Sequence, residues 1–181
     1  MMEYVTYSHW YSEEMLPPDN KIRCEIQDII SSLTYEKLVQ RHRHDNEMLL
    51  SEGKKTKVGL QFSLKNILRE AFSVRDWIPN PMTSEDCKNP LLIDYYKNKV
   101  GATITFNNRV SVGSDLLCFQ LAGDIKDIID LGIYICCTKA FSKKISITES
   151  TAMISFEKVT LDLETFKPIV TVPVWVIGLV G

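Results

Sequence analysis

The sequence predicts an α/β fold: a mixed central β-sheet flanked by helices. Three observations carry this. Residues 22–72 place apolar side chains at helical spacing. At Val100 the apolar period drops from about 3.6 residues to about 2. Beyond it, helical and strand-like stretches alternate, which needs crossover connections and so parallel or mixed pairing.

The elements follow in order. Pro17-Pro18-Asp19-Asn20 is a turn signal. After it Ile22, Ile26, Ile29, Ile30 and Leu33 recur every three or four residues, predicting an amphipathic helix. Tyr35–Leu50 reads as a second helix, and Ser51–Lys57 as a polar loop containing Gly53. Val58–Phe72 reads as a third helix, with Leu60, Leu64, Ile67 and Leu68 on one face. Trp77–Pro90 is turn-rich, with Pro79, Pro81 and Pro90. Leu91–Asp94 and Val100–Phe106 read as two strands joined by the polar turn Tyr96–Lys99. In the second strand Val100, Ala102, Ile104 and Phe106 share one face, and Gly101, Thr103 and Thr105 share the other. Ser114–Ile128 reads as a helix, and Asp130–Thr138 as a buried, near-continuously apolar strand. The basic turn Lys143-Lys144 leads to an amphipathic helix over Ile147–Phe166. A β-branched strand, Ile169–Val180, closes the chain. No internal repeat interrupts this order, so residues 1–181 read as one domain.

Composition narrows the function classes. With 181 residues the chain is long enough to bury a core without disulfides or metals. No apolar run approaches the ~18–20 residues that cross a bilayer, so no membrane partner is expected. The N-terminus carries Glu3, Ser8 and His9 and lacks a basic-then-apolar leader, which implies a cytoplasmic protein. Five cysteines without a CxxC pair read as reduced thiols. His42 and His44 stand two apart, so a helix would not present both on one face to a zinc ion. The net charge of −2 does not advertise a nucleic-acid binder, although a local basic patch suffices to hold phosphates.

No phosphate-binding loop, dinucleotide fingerprint, nucleophile elbow or zinc-protease motif is present. The one layout with chemical meaning is Asp94 at the end of one strand, facing a second strand that starts a few residues later. Carboxylates on adjacent strands are how a nuclease assembles a divalent-metal site. The metal activates water and polarises the phosphate. An Asp closing a strand is also a common turn residue.

At this point the sequence resembles the BglII-like type II restriction endonucleases of the PD-(D/E)xK superfamily. The resemblance runs through Tyr7-Ser8-His9, Glu14-Met15-Leu16, the helix Glu25–Leu33 and Lys57-Val58-Gly59. It continues in Trp77-Ile78-Pro79-Asn80, Leu92-Ile93-Asp94-Tyr95, Val100–Phe106 and Gly132–Lys139, and ends in Val172–Leu179. It implies a restriction-endonuclease-like sheet, Mg²⁺-dependent cleavage of double-stranded DNA at a short palindrome, and a homodimer, with Ser114–Ile128 a candidate dimer face. Members of the family continue beyond the matched region with segments that help hold DNA.

Carried over position by position, Asp94 matches the family's metal-binding Asp and Asn80 an active-site Asn. The family's Glu-x-Gln pair begins nine residues after that Asp, where this chain has Thr103 and Thr105. Threonine carries no charge and cannot replace a carboxylate as a Mg²⁺ anchor. Thr105 can exchange a hydrogen bond but reaches less far than Gln. The resemblance therefore implies an impaired or inactive nuclease, with Glu70, Glu85 and Asp115 as nearby candidates for the missing acid. The rival reading is a non-catalytic DNA-binding or protein-interaction module that keeps the nuclease fold. Candidate phosphate contacts are Lys54, Lys55 and Lys57 in the polar loop, Lys97 and Lys99 in the strand turn, and Lys139 after the buried strand. The Lys37–His44 run is a further basic stretch. Asn107, Asn108 and Arg109 stand where the family places base-reading residues.

Overall fold

A computed structural model of the chain describes residues 2–81, 93–106, 109–146 and 152–181. Six strands form one sheet: β1 (Glu3–His9), β2 (Ile78–Pro79), β3 (Tyr95–Lys97), β4 (Val100–Ile104), β5 (Leu131–Cys137) and β6 (Val174–Val180). Their spatial order is β1-β6-β5-β4-β3-β2. β4, β5 and β6 run parallel at the centre. β1 pairs antiparallel with β6 on one side, and β3 and then β2 pair antiparallel outside β4 on the other. This is the mixed sheet that the alternating order predicts.

Seven α-helices are described: α1 (Ser12–Met15), α2 (Lys21–Ser31), α3 (Tyr35–Ser51), α4 (Gln61–Ser73), α5 (Val112–Gln120), α6 (Lys139–Ile145) and α7 (Phe156–Thr165). α2 starts where Asn20 accepts hydrogen bonds from the Ile22 and Arg23 N–H groups, at 2.8 and 3.4 Å. Thr34 caps α3 in the same way through Lys37 N–H.

Alternation along the strands splits the core in two. On one face Ala102, Ile104, Ile133, Ile135, Trp175 and Ile177 pack against Ile26 and Ile29 of α2, Leu38 of α3 and Leu64, Leu68 and Phe72 of α4. On the other, Tyr134, Cys136, Val174 and Val176 pack against Val112, Leu116 and Phe119 of α5 and Val159 and Leu163 of α7. β5 is buried along its whole length. Gly132 is needed there, because a Cβ would lie 2.9 Å from the Phe119 ring.

Several expectations need correction. β1 and the single-turn α1 were not anticipated. β1 is an edge strand with an irregular burial pattern, so it carries no clean period-2 signal. The strand expected over Leu91–Asp94 begins only at Tyr95. Leu91 and Leu92 lie outside the described residues, and Asp94 is a bend. The turn expected over Tyr96–Lys99 is the two-residue Asn98-Lys99, with φ of 48° and 61°, the doubly positive pair of a tight hairpin. The basic Lys143-Lys144 lies inside α6, which Thr138 caps through Phe141 N–H at 3.3 Å. α7 starts later than expected, at the Ser155 cap. β6 starts after Pro173, whose ring nitrogen has no hydrogen to donate. The helix expected over Ser114–Ile128 is α5 followed by a wide π turn, Leu121–Ile125. The four described cysteines are free thiols, as expected. No helix among the described residues is long and apolar enough to cross a membrane.

Candidate functional site

The candidate site grows from the β3–β4 hairpin. Asn98-Lys99 fixes the register, so that Tyr95 faces Ala102. One residue further along that register, Asp94 stands beside Thr103. The bend at Asp94 is held twice: its carboxylate Oδ2 accepts from Ile104 N–H at 2.7 Å, and its carbonyl accepts from Asn80 N–H at 2.9 Å. Asn80 has φ of 45°, a left-handed conformation that Asn tolerates. The structure thus brings Asn80 and Asp94 together, through the Asn80 backbone.

Across the next pair, Thr103 is registered with Tyr134 of β5. Partners in a ladder present their side chains on the same face. Thr103 and Tyr134 therefore stand side by side in one row on that face, with Asp94 at the bend just beyond β3. Helix α5 reaches over this row: the Tyr134 hydroxyl donates to Asp115 Oδ2 at 2.8 Å. Burial pushes the Tyr134 phenol well above its usual range, so it remains a donor. Burial also raises the Asp115 carboxyl; the Tyr134 bond opposes that, and the charge of Asp94 adds to it. Lys65, on α4, is close enough to favour ionised Asp115. Arg69, one turn further along α4, bonds Tyr95. Thr103 is only 5% exposed, and its Oγ1 has no hydrogen-bond partner. Thr105 is buried too, with its N–H donating to Ile135 O at 3.1 Å. Both threonines lie on the face that the sequence alternation assigned them.

Of the two described acids considered for the missing carboxylate, Asp115 stands beside Tyr134 near the site and Glu70 does not. Glu70 grips Arg41 through two bonds of 2.6 and 2.7 Å on the outside of α3 and α4. Glu85 lies outside the described residues. Among the described residues no group of three or more His, Cys, Asp or Glu could hold a metal.

A profile of the restriction endonuclease BglII/BglIII family matches residues 4–179. The chain belongs to this family. The fold agrees: the chain is similar to the crystal structure of restriction endonuclease BglII complexed with a DNA 16-mer, with a TM-score of 0.71 at 13% identity. That similarity covers 99% of this chain and 79% of the other. No curated protein matches the sequence.

Within the BglII/BglIII fold, the candidate DNA contacts separate by position. Asp94, Thr103 and Thr105 sit at the carboxyl end of β4, where open parallel sheets bind their ligands. Lys139 follows the carboxyl end of β5, its N–H donating to both Glu157 oxygens at 3.1 and 3.0 Å. Lys54, Lys55 and Lys57 are exposed on the α3–α4 loop. That loop leads to Leu60, whose N–H bonds Ile145 O at the end of α6. Lys54 pairs with the exposed Glu52.

Lys97 and Lys99 lie at the opposite end of β4, roughly 16 Å along the strand from Thr105. Lys97 is engaged within the chain: its ammonium donates to Glu25 at 2.7 and 2.9 Å and to Arg75 O at 2.8 Å, which uses its three donors. Lys99 lies near Asp127 and Asp130. Arg41, in the other basic stretch, is likewise committed to Asp45 and Glu70. Asn107 and Asn108 lie outside the described residues, and Arg109 opens the 3-10 turn Arg109–Ser111 ahead of α5.

Tyr134, Lys65 and Arg69 were not singled out from sequence. Tyr134 had a signal: it is the one hydroxyl-bearing residue in the apolar run Leu131–Cys137. Lys65 and Arg69 had only their spacing of four, which puts both on one helix face.

Proposed function

We propose that this chain binds double-stranded DNA on a BglII-type framework, and that its cleavage of phosphodiesters is strongly impaired. The observation that carries this is Thr103. At the position of the family's acid stands a buried, uncharged hydroxyl without a partner. The fold tolerates it, because threonine suits a central strand.

The family's metal is Mg²⁺, which when bound would activate a water and polarise the phosphate. Asp94 is the residue placed to hold it, with its carboxylate oriented by Ile104 N–H. Thr105 is too short to position a nucleophile as Gln would. Removing one electrostatic interaction of this kind costs on the order of 10²–10³ in rate, and here two are changed. Lys54, Lys55, Lys57 and Lys139 supply backbone attraction without sequence choice. Palindrome recognition would come from a two-fold dimer. An apolar groove of about 190 Å³ along α5, lined by Gly113, Leu116, Leu117, Phe166, Ile169 and Val170, supports a second copy packing there.

The test has two parts. Titration against duplex DNA should show binding that weakens steeply as salt rises. No affinity near 50 mM salt would overturn the proposal. Thr103→Glu with Thr105→Gln should restore Mg²⁺-dependent cleavage by at least about 10². DNA binding without any such gain in the double variant would favour the rival reading, a non-catalytic module that keeps the fold.

A further inference from the structure

We infer that His42 and Asn46 of α3 are positioning residues for the α3–α4 lysine loop, and that protonation of His42 releases their hold on it. The inference rests on the proposal that this loop meets DNA phosphates, and it adds how the loop is held ready for them.

The loop is fastened at few points. Lys54 N–H meets Leu49 O at the end of α3, and Leu60 N–H meets Ile145 O, each at 2.8 Å. Between these two, the described backbone bonds are both made by Lys57, and both go to one side chain. Asn46 Oδ1 accepts from Lys57 N–H at 2.8 Å, and Asn46 Nδ2 donates to Lys57 O at 3.0 Å. A side-chain amide that faces a peptide group in this way has one workable orientation. Turned over, it would set oxygen against oxygen and N–H against N–H. The Lys57 ammonium lies over the Phe62 ring, 5.9 Å from its centre.

That orientation dictates the state of His42. Asn46 Nδ2 also meets His42 Nε2, at 3.1 Å, so Nε2 is the acceptor and the ring proton sits on Nδ1. Nδ1 then donates to the hydroxyl of the buried Ser63 at 3.3 Å. The Ser63 hydroxyl donates in turn to Asp45. Donors and acceptors thus alternate without conflict from the Lys57 peptide to the Asp45 carboxylate, and a neutral His42 is what completes the run. A proton on Nε2 would turn this acceptor into a donor that faces a donor. Asn46 cannot turn over to suit it without losing both bonds to the loop. The charged groups in the same network are Asp45 and Arg41 on α3, Glu70 on α4 and Lys57 on the loop, two of each sign. Of these side-chain types, histidine is the one that changes charge between about pH 5 and pH 8.

NMR on the whole chain without DNA reads the hold directly. The Lys57 amide and Asn46 side-chain resonances should shift in step with the His42 ring as pH falls from about 8 to about 5.5. His42→Gln keeps an acceptor in the place of Nε2 and has no proton to gain, so there both resonances should stay put. Titration against duplex DNA reads the consequence. Asn46→Ala should weaken binding by at least about threefold near pH 8, because the loop must then be ordered on binding. Near pH 5.5 that ratio should fall to about one, since the unaltered loop is already released. Taking the ratio cancels the general gain in affinity that added positive charge brings. In a His42→Gln background the loss should persist at both pH values, and melting curves establish that each variant folds. A ratio that does not change with pH in the unaltered background overturns the inference, as do Lys57 and Asn46 resonances that ignore the His42 titration. Absence of DNA binding by the unaltered chain defeats the proposed function, and with it the link to DNA; the resonances then still decide whether His42 governs the loop.

Discussion

The two faces of the sheet are built from the same strands but treat charge differently. On the face covered by α2, α3 and α4, opposite charges are paired. Arg41 grips Asp45 at 2.7 Å and Glu70 at 2.6 Å, and Lys97 is closed by Glu25 and a backbone carbonyl. Beneath them Phe72 packs against Trp77 and Tyr95, with ring centres 5.0 and 4.8 Å apart. On the face covered by α5 and α7, the half-buried Asp115 carboxylate is held by a tyrosine hydroxyl and a threonine hydroxyl is left over. The first face is what a sequence selected for stability would produce. The second departs from that rule at one end of one strand, and such local departures mark functional sites.

The comparison can be broken most forcefully on the first face. Phe72→Ala should cost about 4 kcal/mol in denaturant unfolding, since it removes a fully buried ring shared by two aromatics. A loss under about 1 kcal/mol would show that this core is looser than its packing implies.

Next comes the clasp between α3 and α4. Burial pushes the Asp45 carboxyl up, but bonds from Ser63, Arg41 and Asn66 together outweigh it, and its pKa is lowered. A lowered carboxylate pKa stabilises the fold above the unfolded value, near 3.9, and that contribution fades as pH falls through the folded value. Asp45→Asn should therefore cost about 2 kcal/mol at pH 7, and the gap from the unaltered chain should narrow in acid. A gap that stays constant from pH 7 to pH 3 would remove the carboxylate from the account.

On the second face the sign reverses. Thr103→Val deletes a buried hydroxyl without changing shape and should raise stability by up to about 1 kcal/mol in metal-free buffer. A clear loss in thermal melting would mean that the hydroxyl is satisfied after all, which sharpens the contrast in the other direction. The smallest effect is at the surface. Replacing Lys54, Lys55 and Lys57 by Ala should leave melting within about 0.5 kcal/mol. It should also flatten the log–log salt dependence of DNA binding by about 0.9 for each phosphate that these lysines neutralise. The same change at Lys97 should affect folding and leave the salt slope alone.

Local sequence determined much of the framework. Helices α2, α3 and α4 and strands β4 and β5 were legible, because burial on one face imposes a period that a short window carries. Alternation in β4 also placed Thr103 and Thr105 together, away from Ile104. Short or weakly patterned elements escaped. β1 lies at an edge and buries too little to show its period, and α6 is a capped helix of about two turns with two lysines in the last. Motif resemblance pointed to Asp94, and the family profile bears out the resemblance.

What the sequence could not determine is which distant groups converge. Glu70, Glu85 and Asp115 were equal candidates along the chain. The packing of α5 on β5 ties Asp115 to Tyr134, and the packing of α4 beside α3 ties Glu70 to Arg41. Lys97 read as a candidate phosphate contact, and its partner Glu25 comes from α2, 72 residues away. Periodicity is set by neighbours within a few residues, and the sequence alone determines it. The company of a charge is set by which helix crosses which strand, and only the tertiary structure decides that.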